Sequence, residues 1–201
     1  MKQLARLAIV ASQPKKQLVC EDRHRADAEF ARAFEASEAG NVGEAERLYR
    51  IVIALDPNYT EALVNLSQCL LYTRQYTEAE RCIRRALVLD TCYALAWYNL
   101  GAALEGLSRN WEAVAAYRAA IKASPRYGDA HYNLASLLMF LQQHGEARTH
   151  AKQFIEIARY TGTEIEWIPL AHNIVRWCSP RFGESAAVRE ATHVLKMIRL
   201  E

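Results

Sequence analysis

The stretch "WYNLG", Trp97 to Gly101, sets a polar amide inside an apolar run. Asparagine suits a helix interior poorly, because its side chain competes for backbone hydrogen bonds. The pattern returns as "LVNLS" at 63–67 and "HYNLA" at 131–135, so Asn65, Asn99 and Asn133 stand 34 and 34 residues apart. Other columns keep the same period. The dipeptide Glu-Ala falls at 44–45, 78–79, 112–113 and 146–147, and Ala62, Ala96 and Ala130 follow in step, as do Leu66, Leu100 and Leu134. A fixed period of this length marks a repeat architecture. Four units follow in unbroken register: 26–59, 60–93, 94–127 and 128–161.

Each unit reads as two helices. In the third, Trp97, Leu100, Gly101 and Leu104 recur at the i, i+3, i+4, i+7 spacing of one helix face. After the break "SRN", Val114, Tyr117, Ala120 and Ile121 repeat that spacing until Ser124-Pro125 stops the second helix. Asp56-Pro57 ends the first unit in the same way, since proline cannot extend a helix and pushes its predecessor out of helical geometry. Such a hairpin buries its apolar face only by stacking on neighbours.

The period, with Trp97-x-x-Leu100-Gly101-x-x-Leu104 followed by Ala113, Tyr117, Ala120 and Pro125, resembles the tetratricopeptide repeat family over about 136 of the 201 residues. The resemblance implies an all-α, right-handed superhelical solenoid of helix-turn-helix hairpins with capping helices. Departures from the family pattern are local: Thr91 and Arg159 replace the terminal proline, and Glu29, Leu63 and His131 replace the tryptophan of the third unit. The segment "EIARYTG" lets the last helix run longer.

Outside the repeats, residues 1–25 form an N-terminal extension, partly helical, with a loop at "SQPKKQ". Lys2 and the apolar patch Leu7–Ala11 faintly resemble a secretory signal, but Arg6 interrupts the patch and its length falls short of an h-region. Residues 162–201 read as capping helices, one around Pro169–Trp177 and an amphipathic one from Ser185 to Leu200 with Val188, Ala191, Val194, Leu195 and Ile198 as its stripe. A solenoid exposes a hydrophobic end unless capped; self-association or docking into a groove are the other uses of such a helix.

The formal net charge of +2 offers nucleic acid no special attraction, and no apolar run reaches the roughly 18 residues of a membrane span. Five cysteines without a CxxC pair read as reduced thiols of a cytoplasmic protein, most of them small buried hydrophobes. No catalytic motif is present. The six histidines form no HExxH, His144 and His150 lie off one helix face with no cysteine near in sequence, and no metal or cofactor site is expected. Arg81, Arg84, Arg85, Arg118 and Arg126 read as a solvated outer face.

The resemblance implies a concave surface lined by the first helix of each unit. The helical wheel places a second stripe there, away from the face carrying Leu100 and Leu104. Its candidates are Phe30 and Phe34 in the first unit; Glu61, Asn65, Gln68 and Tyr72 in the second; Tyr98, Asn99 and Glu105 in the third; and Asp129, Tyr132, Asn133, Ser136 and Phe140 in the fourth. Aromatic anchors and carboxylates, with no lysine or arginine in the stripe, favour a neutral or basic, partly apolar peptide. The three amides either bind the backbone of an extended peptide or bond a neighbouring repeat. The expected function is a non-enzymatic protein-interaction adaptor. The alternatives are a self-assembling scaffold joined through terminal helices, or a dedicated chaperone or regulatory subunit.

Overall fold

The computed structural model describes residues 20–163 and 165–179, which are all helix and turn. The elements are α1 (Cys20–Glu38), α2 (Val42–Leu55), α3 (Thr60–Tyr72), α4 (Tyr76–Leu89), α5 (Ala94–Gly106), α6 (Asn110–Ala123), α7 (Gly128–Phe140), α8 (His144–Thr161), a 3-10 turn (Ile165–Trp167) and α9 (Ile168–Trp177). The paired helices follow the 34-residue period. α1 starts at Cys20, ahead of the boundary at 26, and α8 is 18 residues long where α4 and α6 have 14. The loop expected at "SQPKKQ", the N-terminal patch and the helix expected over Ser185–Leu200 lie outside the described residues.

The chain divides into two compact units, residues 1–62 and 63–201. In the first, α1 packs against α2. Arg23 donates to the Asp56 carboxylate at 2.8 Å, and the Tyr59 hydroxyl donates to Asp27 at 3.1 Å. In the second, α5 packs on α4 and α6, α7 on α6 and α8, and α9 on α8 and α7. The repeat columns are the core: Ala79, Ala113 and Ala147, with Ala96, Ala130, Leu104 and Leu134, are buried. Small residues are needed where helices approach closely. A Cβ added at Gly101 would meet the Tyr117 ring at 2.5 Å.

Each hairpin closes with the same turn. Gly40, Arg74, Ser108 and Gln142 have φ near +60 to +74°, again 34 residues apart. The following amides of Asn41, Gln75, Arg109 and Gln143 each reach back five residues, to the carbonyls of Ala36, Leu70, Leu104 and Leu138, all at 2.8 Å. That is a Schellman closure, in which a left-handed residue lets the orphan carbonyls at the helix end find donors. Between units the second helix ends in an extended residue, Asp56, Asp90 or Ser124. Where proline is missing at Thr91, the Asp90 carboxylate accepts from the Cys92 amide at 2.8 Å, as Asp56 does from Asn58 at 3.0 Å. The aspartate thus shapes both turns, with or without the proline.

Candidate groove of the repeat hairpins

In the first unit Phe30 is half-buried, its ring stacked on Tyr59 at 5.0 Å and tilted against Tyr49 at 5.7 Å. Phe34 is 50% exposed and Glu61 is exposed. Burial and the Asp27 carboxylate beside it push the Tyr59 hydroxyl up to about 12, so it serves as a donor.

In the second unit Tyr72 is 78% exposed and Gln68 is exposed, while Asn65, Glu105, Asp129 and Phe140 are half-buried. Tyr98 is held between Tyr117 at 5.8 Å and Tyr127 at 5.1 Å. Tyr132 packs on Phe154 and Trp167 and lies against the cluster of Phe154, Ile155, Ala158 and Ala171, so this ring is committed to the end of the stack. The stripe's aromatics are thus mostly half-buried; only Phe34 and Tyr72 stand well out.

The amides divide. Asn99 is 2% exposed, and its Nδ2 donates to the Ser67 Oγ at 3.2 Å, whose hydroxyl in turn donates to the Val64 carbonyl at 2.6 Å. The expectation that Asn99 stands on an open wall fails here: α3 and α5 close over it, and its bond joins two consecutive repeats. Asn133 also reaches back one repeat, donating to the Tyr98 hydroxyl at 2.9 Å, but remains half-buried. Ser136 is buried as well, and its Oγ has no hydrogen-bond partner.

An open pocket of about 520 Å³ collects Ala102, Glu105, Asn133 and Phe140 from α5 and α7, and Tyr117 from α6. Tyr117 donates its hydroxyl to Glu105 at 3.2 Å, fixing the carboxylate at the pocket wall. The rim holds residues outside the expected stripe: Arg74 and Ser108 from the left-handed turns, with Tyr76 and Asn110 at the starts of the following helices. Arg74 therefore adds a cation that the first-helix wheel omits. The 34-residue spacing from Gly40 is the signal that finds these turn positions.

Titratable side chains gather elsewhere in the fourth hairpin. His131 is buried, where the first and third units carry Glu29 and Trp97. Its Nε2 lies 3.1 Å from the Pro125 carbonyl and its Nδ1 lies 3.1 Å from the Nδ1 of His150. A carbonyl only accepts, so His131 Nε2 carries the proton, its Nδ1 accepts, and His150 Nδ1 donates. The free His150 Nε2 faces Glu146 at 3.9 Å, and Glu146 pairs with Arg118 at 2.6 Å. Burial lowers both histidines below their ordinary value. Cys178 brings its sulfur 3.8 Å from His144 Nδ1, a neighbour invisible in sequence; burial pushes that thiol up to about 11 and keeps it unreactive. Cys69 and Cys82 are buried and Cys92 is exposed. Among the described residues no group of three or more potential ligands could hold a metal, and no helix is long and apolar enough to cross a membrane.

The outer arginines are exposed yet engaged. Arg81 pairs with Glu78, Arg84 with Glu80, and Arg118 with Glu146. Arg126 lies over the Tyr160 ring at 4.9 Å. Arg109, from the third hairpin's turn, clamps Glu80 on α4 and Glu112 on α6, and those two carboxylates hold it well above its ordinary value.

Paired helices with these turns and small-residue columns define a helical-repeat protein of the interaction-module type. Two models described as tetratricopeptide repeat match residues 36–103 and 103–160, and the chain belongs to that family. No curated protein matches it in sequence. Among solved structures it is similar to a crystal structure of MamA, at 23% identity over 84% of this chain and 92% of that one, with a TM-score of 0.65. It is also similar to an O-GlcNAc transferase mutant of Thermobaculum terrenum, at 27% identity and a TM-score of 0.64, covering 71% of this chain but only 27% of that one. A third is the first repeat domain of Spaghetti (RPAP3) bound to an HSP90 peptide, at 21% identity over 59% of this chain and 94% of that one, with a TM-score of 0.57.

Proposed function

We propose that the chain is a non-enzymatic adaptor that holds a neutral or basic, partly apolar peptide against the first helices of its repeats. The observation that carries this reading is the open pocket of about 520 Å³ in which the Glu105 carboxylate, the Asn133 amide and the Phe140 ring converge. The carboxylate suits a lysine or arginine side chain, the ring an apolar one, and the amide a peptide backbone group. Arg74 at the rim is the counterweight, and a ligand with one acidic residue flanking a basic-apolar core would satisfy both.

Fluorescence anisotropy with three labelled twelve-residue peptides, basic-apolar, neutral-apolar and acidic, tests the reading on the intact chain. The expected order of affinity is basic-apolar, then neutral-apolar, then acidic, and Glu105→Lys should invert the first and last. Equal binding of all three, or an acidic peptide ahead in the unaltered chain, overturns it. Self-assembly is the second reading, favoured by Val88 at 83% and Trp111 at 59% exposure on the second helices. Sedimentation across a concentration series separates the two, since the adaptor stays monomeric.

A further inference from the structure

The face that α8 turns outward repeats the face of α6 on which α8 itself rests. On α6, Arg118 holds Glu146 of α8 at 2.6 Å, a residue 28 positions on. The corresponding cation on α8, 34 residues after Arg118, is Lys152, which is exposed and makes no ion pair among the described residues. Lys152 opens onto a cleft of about 400 Å³ between α8 and α9, with Ile155 and Val175 as apolar floor and Glu156, Arg159 and His172 around it.

The path of the chain leads to that cleft. Cys178, just after α9, lies 3.8 Å from His144, the first residue of α8. α9 thus runs antiparallel to α8 and ends beside its start. Residues 180–201 continue from that point. A helix over 185–200 would span about 24 Å, the same length as His144–Arg159 on α8. Its sequence keeps a relic of the repeat: Glu-Ala recurs at Glu190-Ala191, ten residues later than a strict 34-residue step from Glu146-Ala147 would place it. Lys152 to Glu190 is likewise ten residues longer than Arg118 to Glu146. Set in that register, Lys196 comes within about half a turn of Glu156, and Val188, Ala191, Leu195 and Ile198 form one apolar stripe.

We propose that residues 184–201 seat in the α8–α9 cleft as a helix parallel to α8, with Glu190 on Lys152, completing a fifth and irregular hairpin of the same chain. The cleft is a docking slot for this chain's own C-terminal segment.

Hydrogen–deuterium exchange on the full chain tests the seat. Amides of residues 186–200 should be protected at all concentrations. Lys152→Glu and Glu190→Lys should each speed their exchange roughly three- to tenfold, and the double reversal should restore it. Leu195→Asp should abolish protection. An unprotected segment in the unaltered chain overturns the proposal. So does protection lost only with Leu195→Asp, which would seat the helix elsewhere. Protection that vanishes on dilution, alongside a concentration-dependent mass, would make the occupant a second copy instead and equally overturn it.

Discussion

Gly101 is the residue with least room to change. The Tyr117 ring occupies the space a methyl group would need, and that ring is itself buried and tied to Glu105. Gly101→Ala should cost about 1–3 kcal/mol by overpacking, visible as a lower urea midpoint with an unchanged slope. The His131–His150 pair makes a second prediction at this scale. Both groups are held below their ordinary value by burial, so the unfolded chain binds protons that the folded chain refuses. Stability is therefore fully present above the unfolded histidine value near 6.5 and falls as the pH drops below it. The melting temperature should decline between pH 7.5 and 5, and His150→Gln, which keeps a donor toward His131, should flatten that decline. An identical decline in the variant would place its origin elsewhere. Neither histidine contact is legible in the sequence: the pair is 19 residues apart on facing helices, and no periodic column reports which side chains meet across a hairpin.

At the scale of elements, the helices were legible because one period governs all of them, and packing, turn and terminator recur in step. Asn99 was misplaced for a physical reason. A helical wheel separates two sides of one helix, but a first helix here packs against both its own partner and the preceding repeat, so a third side is also buried. Ser67, a small hydroxyl where the other units carry Ala33, Gly101 and Ala135, was the sign that a polar partner awaited it. The bond joins two buried groups, so Asn99→Ala should cost about 1–3 kcal/mol by stranding the serine, more than Asn133→Ala, whose partner is half-buried. The turns carry a prediction of opposite sign. A non-glycine residue at positive φ is strained by about 1–2 kcal/mol. Gln142→Gly should therefore raise the urea midpoint by a net gain of about 0.5–1 kcal/mol, once glycine's freer unfolded chain is allowed for.

Within residues 63–201 the helices contact mainly their chain neighbours. Stability in such a stack is close to a sum of local and nearest-neighbour terms, so a defect should be felt near its origin. Gly101→Ala should accelerate hydrogen exchange in α5 and α6 well before α9, whereas uniform acceleration would mean a single cooperative unit. The groove was only partly legible at this scale. Its first-helix members Glu105, Asn133 and Phe140 follow from the wheel, while Arg74 and Ser108 come from turns that the wheel does not describe.

Those turns have one more consequence. Three of the four left-handed positions forgo glycine, and two of the three, Arg74 and Ser108, stand at the rim of the pocket. Glycine has no side chain with which to tell one ligand from another, so an idealised array with glycine at every bend would offer the same blank lip at each hairpin. Tolerating the strain gives successive lips different chemistry, a guanidinium at one and a hydroxyl at the next. A version of this chain made sturdier by glycine at those bends should also be less discriminating.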